Sequence, residues 1–123
     1  MFITITGRVK AGKNRGKKLG FPTINISVPK KIKKNQLGVY YSLVKIGDRF
    51  YPGITHLGQP KTFNILKSSC ETHLLTIKKD LYRKNVTKKL IFKFREIEKF
   101  PNIKKLKKQI LQDIKAAKKF FGL

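Results

Sequence analysis

The chain has 123 residues, 40% of them apolar, and a formal net charge of +24. That length makes one domain with one modest core; no apolar run approaches a membrane span, MFITITGRV lacks the features of a signal peptide, and a lone cysteine excludes an intramolecular disulfide. Thirty basic and six acidic residues attract polyanions without specificity, but the lysines are spread along the chain, and a solvated basic surface explains them as readily as a nucleic-acid face.

Residues 2–10 begin by alternating, with Phe2, Thr4 and Thr6 on one side and Ile3 and Ile5 on the other, which predicts a strand. A glycine- and lysine-rich loop follows, AGKNRGKKLGFP, and then the extended segment TINISV. Residues 29–36 read as a solvated basic loop. GVYYSLVKI and RFYPGITHL read as a hairpin turning near Asp48, with Pro52 marking an edge or a bulge. Residues 58–70 read as a loop, ETHLLTIK as a strand starting at Glu71, KDLYRKN as a turn and VTKKLIFKFRE as the last long strand. Then the period changes. Asn102 can cap a helix whose apolar stripe is Ile103, Leu106, Ile110, Ile114, Ala117 and Phe121. Antiparallel strands followed by one amphipathic helix favour a small closed or nearly closed barrel, because closure removes exposed edges.

The stretch GKKLGFPTIN carries the chemistry. Gly16 and Gly20 free backbone amides to approach an anion, and Lys17 and Lys18 add charge beside them. Pro22 forbids a helix here, so Thr23 and Asn25 are alternate residues of an extended segment. Their two oxygens on one side would seat a hard cation such as Mg²⁺ carried in by phosphates. The spacing GxxxxGK at Gly7–Lys13 is a false lead. Asn14 stands where a P-loop needs Ser or Thr, and no helix can follow.

Glu71 could accept a proton from a hydroxyl, or could simply pair with a lysine. His73 lies on the same strand face, and His56 near the end of another strand. One cysteine with two histidines does not make a zinc site. Arg95 could pair with Glu96 and Glu98, or bind a phosphate or ring edge. Tyr82 could stack on a planar ligand, or merely pack.

Taken together, GKNRGKKLGFPTIN, GVYYSLVKI, ETHLL, DLYRK, FREIEKF and the closing basic helix resemble the riboflavin kinase family over nearly the whole chain. LGFPTIN is similar to the family's LGxPTAN signature, with Ile24 for alanine. The resemblance implies a six-stranded antiparallel Greek-key barrel with a C-terminal helix, mainly β. It implies transfer of the γ-phosphate of ATP, with Mg²⁺, to the ribityl hydroxyl of riboflavin, giving FMN and ADP. Carried over, Thr23 and Asn25 would hold Mg²⁺ and the phosphates. The loop with Gly12, Gly16, Lys17 and Lys18 would cover them, and Glu71 would be the catalytic base. Tyr82 would lie by the adenine, and the segment around Arg95 would meet the flavin.

Two local departures stand out. Arg83 replaces the glycine of the family's DLYGK. In GQPKTF, Pro60 comes one place early, with Lys61 where the family's GxRPTF has proline. Since Met1 begins directly at the first strand, the expectation is a stand-alone kinase of one domain, 1–123, monomeric and cytoplasmic, with no membrane partner. The competing class is a basic barrel that binds single-stranded nucleic acid without catalysis.

Overall fold

In the computed structural model, which describes residues 2–10, 23–58 and 69–123, the alternating N-terminal segment forms β1, Ile3–Arg8. Ile5 is buried and Phe2 exposed, as the alternation requires. The later strands are β2, Ile24–Ser27, β3, Gly38–Ile46, β4, Arg49–Gly58, β5, Ser69–Leu74, and β6, Asn85–Arg95. A short 3₁₀ turn, Lys34–Gln36, lies in the basic loop before β3, and the helix α1, Ile103–Phe121, follows β6.

The strands form one antiparallel sheet in the order β1-β6-β3-β4-β5-β2. β3, β4 and β5 make a meander and β6 returns beside β3, which is a Greek key. The two ends of the sheet then meet. Lys10, just past β1, bridges to Asn25 of β2, donating its N–H to the Asn25 carbonyl at 2.8 Å. The result is a nearly closed barrel, the architecture expected.

Ile5, Ile26, Val44, Leu57, Val86 and Leu90 fill the interior. It also holds polar groups. Ser42, Thr55 and Thr72 are fully buried and linked hydroxyl to hydroxyl at 2.6 and 2.7 Å. A second apolar cluster lies outside the barrel, where Ala117 of α1 meets Val39, Tyr41 and Ile54. Tyr41 is stacked between Phe94 and Phe120, with ring centroids at 4.3 and 4.4 Å.

Asn102 caps α1, its Oδ1 accepting the Lys105 N–H at 2.9 Å. Along the expected stripe Leu106, Ile110, Ile114 and Phe121 are half-buried and Ala117 is buried, but two positions differ. Ile103 is exposed, and the residues that α1 buries are Asp113 and Ala117. A carboxylate takes the centre of the docked face because it finds a buried cation there. β5 also differs from expectation, because it starts at Ser69 and ends at Leu74. Pairing to Gly58 on one side and Ser27 on the other draws Ser69 and Cys70 into the sheet.

Pro52 sits where β4 runs past the end of β5. Its carbonyl accepts the Leu75 N–H at 3.0 Å, and N and C=O of one strand residue point the same way. The missing Pro52 N–H therefore faces away from β3 and costs the β3–β4 ladder nothing.

Candidate active site

β2 sends Ile24 and Ile26 into the barrel, so Asn25 between them faces out. Register then does the rest. Asn25 stands directly opposite Glu71 of β5, and Glu71 stands opposite His56 of β4. His56 is opposite Val39, which is opposite Arg95 of β6. Four polar residues from four strands thus share one row. Because the Asn25 carbonyl turns to Lys10, Asn25 and Glu71 form a non-hydrogen-bonded pair, the closer kind, with Cβ atoms about 4.5–5.5 Å apart. Glu71 is the third residue of its strand and not the first, so its seat comes from register beside Asn25.

Asn25 is only 3% exposed, and among the described residues its buried Nδ2 has no hydrogen-bond partner. A buried, unpaired amide is costly unless a ligand completes it. The two ends of an amide are interchangeable by rotation, so this side chain can turn its oxygen to a cation. Thr23, half-buried, stands two residues earlier at the entrance to β2. It lines a small hollow with Leu74, Ile77, Lys78 and Lys79. The two lysines bring positive charge beside Thr23. Nothing in the sequence marks them, since they look like any other basic pair. Among the described residues no three His, Cys, Asp or Glu side chains converge on a metal position. A cation here would rest on Thr23 and Asn25 oxygens together with ligand phosphate.

At the other end of the row, Arg95 is committed to the helix. Its Nη2 lies 2.7 Å from Asp113 Oδ2, its Nε donates to the same carboxylate, and its Nη1 donates to the Glu96 carbonyl at 3.0 Å. Of the alternatives open to Arg95, pairing with the Glu96 and Glu98 carboxylates is not the one made among the described residues. Glu96 pairs with Lys93 instead. Arg95 Nη2 also approaches His56 Nε2 at 3.4 Å. A guanidinium can only donate, so Nε2 accepts and the His56 proton sits on Nδ1. Burial, and then the adjacent Arg95 charge, lower the His56 pKa to about 4. His56 is therefore a neutral wall between Glu71 and Arg95. Its place near a strand end is legible in the sequence; its burial beside Arg95 is not.

His73 shares the outer face with Glu71 but pairs across with Ile54. With Leu75, Ile77, Ile114 and Lys118 it lines a hollow of about 220 Å³ between β5 and α1. Tyr82 is half-exposed in a turn where Asp80 Oδ1 accepts its N–H at 2.9 Å. That turn is tied to Val9, next to the Lys10 that bridges to Asn25, so it lies one strand away from the row. Arg83 takes φ 69°, the left-handed region that glycine favours. Gly12, Gly16, Lys17 and Lys18 lie outside the described residues, as do Pro60 and Lys61.

A family model described as Flavokinase: Riboflavin kinase matches residues 1–121. The chain is 33% identical, over 98% of its length, to the bifunctional riboflavin kinase/FMN adenylyltransferase of Escherichia coli K12, of which it covers 39%. It is 40% identical to the enzyme of that description from Buchnera aphidicola subsp. Schizaphis graminum, covering 98% of the chain and 39% of the relative. It is 35% identical to the RNA-binding riboflavin kinase RibR of Bacillus subtilis, covering 97% of the chain and 51% of the relative. The chain thus spans between two fifths and about half of these curated relatives. Among solved structures it superposes on riboflavin kinase from Trypanosoma brucei with a TM-score of 0.65 at 21% identity, covering 97% of this chain and 79% of that one. It superposes on a chain described as macrolide-efflux protein from Streptococcus pneumoniae with a TM-score of 0.82 at 24% identity, covering 95% and 38%. At these identities the two structures speak to the fold alone.

Proposed function

The chain belongs to the riboflavin kinase family, and from that premise we propose that it transfers the γ-phosphate of ATP to the ribityl hydroxyl of riboflavin, giving FMN and ADP. The observation that carries this reading is the cross-strand pair of Asn25 and Glu71 on the outer face of the barrel. Phosphoryl transfer asks a protein for positioning and charge neutralisation more than for covalent chemistry. A metal-seating amide directly beside a carboxylate meets that demand.

In this reading Thr23 and Asn25 hold Mg²⁺ and the nucleotide phosphates, and Lys78 and Lys79 add positive charge at the Thr23 hollow. A bound Mg²⁺ would neutralise phosphate charge there. Glu71 accepts the proton of the attacking hydroxyl. The hydroxyl oxygen forms the new bond to the γ-phosphorus, the bond from that phosphorus to the bridging oxygen breaks, and ADP leaves with its electron pair. His56, its acceptor nitrogen facing Arg95 and its basicity lowered by burial, does not compete for the proton. Tyr82 serves the adenine side.

The test is direct. Purified protein is incubated with riboflavin, ATP and Mg²⁺, and FMN is sought by chromatography. FMN formation that needs all three components supports the reading. Absence of FMN from folded protein sinks it. The nucleic-acid alternative separates by salt, because polyanion binding collapses as counterions compete, whereas binding of a neutral flavin ring barely moves.

A further inference from the structure

Lys88 is charged, yet it is completely buried. On β6 it lies between Val86 and Leu90, which both point into the barrel, and it points the same way. Its Nζ donates to two main-chain carbonyls across the interior, those of Ile24 at 2.6 Å and Cys70 at 2.9 Å. Burial lowers its pKa to about 8. An ammonium inside a small barrel is an expensive way to fill space, and nothing in the mechanism above uses it.

The identity of the two carbonyls gives it a use. The Asn25 carbonyl turns toward Lys10, so by alternation Ile24 and Ile26 turn their backbone groups toward β5. Ile24 is opposite Thr72, and Ile26 is opposite Cys70. These two rungs bracket the Asn25–Glu71 pair, which has no rung of its own. The Lys88 ammonium therefore spans the gap between rungs from inside, taking one carbonyl from each strand. Asn25 and Glu71 project outward at the same level.

We propose that Lys88 is a positioning residue, whose ammonium clamps β2 to β5 behind the Asn25–Glu71 pair and so sets the spacing of those two side chains. The proposal rests on the reading above, in which that pair serves phosphoryl transfer. β2 needs such a clamp. Among the described residues it has four paired positions on the β5 side and one bridge on the other.

The test compares wild type with Lys88→Met, which keeps length and removes the charge and the donors. The two carbonyls keep their ladder partners, so the variant is expected to fold and to melt no lower than wild type. Its kcat for FMN formation falls roughly 10- to 100-fold through misplacement of the pair. Riboflavin affinity, from fluorescence quenching, stays within about threefold. In a Glu71→Gln background the same change costs little more, because both act through one pair.

A folded Lys88→Met enzyme within about threefold of wild-type kcat overturns the proposal. So does full multiplication of the two effects in the double variant. Lys88→Gln, which keeps a donor, stands in if Lys88→Met does not fold. If neither folds, Lys88 supports the whole barrel and the proposal is wrong. A wild type that makes no FMN fails the kinase reading instead. The clamp is then judged by NMR, where Lys88→Met must move the Asn25 side-chain amide signals and leave those of Asn102 in place. Unmoved Asn25 signals overturn it.

Discussion

Glu71 and His73 project from the same face of β5, two residues apart, but only Glu71 stands opposite Asn25. In the proposed reaction that difference makes Glu71, and not His73, the base. Glu71→Gln keeps shape and hydrogen bonding and removes the proton acceptor. It is expected to lower kcat ~10²–10⁴-fold with riboflavin affinity little changed. His73→Gln should cost much less, and a Glu71→Gln enzyme within a few-fold of wild type would make Glu71 structural. Asn25→Ala should impair use of ATP with Mg²⁺ far more than riboflavin binding. FMN formation and flavin quenching, measured separately, check this, and equal losses in a folded protein would refute it. Thr23, Asn25 and Glu71 were marked in the sequence by their likeness to the family's motifs, and the fold sets Asn25 and Glu71 opposite each other. Lys88 was not legible, because a lysine in a lysine-rich chain carries no mark of burial. Arg83 shows the converse. The resemblance marked it as standing in for glycine, and its left-handed backbone gives the physical reason.

His56, held at the joint between β6 and α1, makes the fold sensitive to acid. Arg95 holds Asp113 on one side and His56 on the other. In the fold His56 takes a proton only near pH 4, against an ordinary value of 6.5. Between those values the unfolded chain binds more protons than the native one, so stability falls as the pH drops through the window. The loss is at most about 3 kcal/mol. Melting temperature followed over this range should drop more steeply for wild type than for His56→Gln, and parallel profiles would remove His56 from the account. Strand and helix positions were mostly readable, because alternation and the three-four spacing are strong signals. β3 matches its expected bounds, residues 38–46. The extension of β5 back to Ser69 was not readable, because it depends on partners at Gly58 and Ser27 that only the folded sheet supplies. Asp113 was hidden for the same reason. Its partner lies 18 residues away, on another element.

At the scale of the whole molecule, charge and catalysis should come apart. Lys30, Lys31, Lys33 and Lys34 are all exposed, outside the row that carries Asn25 and Glu71. Replacing the four with glutamine should weaken binding to a polyanion such as heparin and leave FMN formation near the wild-type rate. A collapse of turnover would put this loop in the site. The seam of the barrel has a consequence in time. β3 and β4 are neighbours in sequence and can zip at once. β2, by contrast, must wait for β5, more than forty residues downstream, and for β1 to return to β6. The strand that bears Asn25 is therefore expected among the last to arrive, and in the proposed reaction a half-assembled chain would make no FMN. During refolding from denaturant, tyrosine emission, to which all four tyrosines contribute in a chain without tryptophan, should recover as Tyr41 enters its aromatic stack and before the capacity to make FMN.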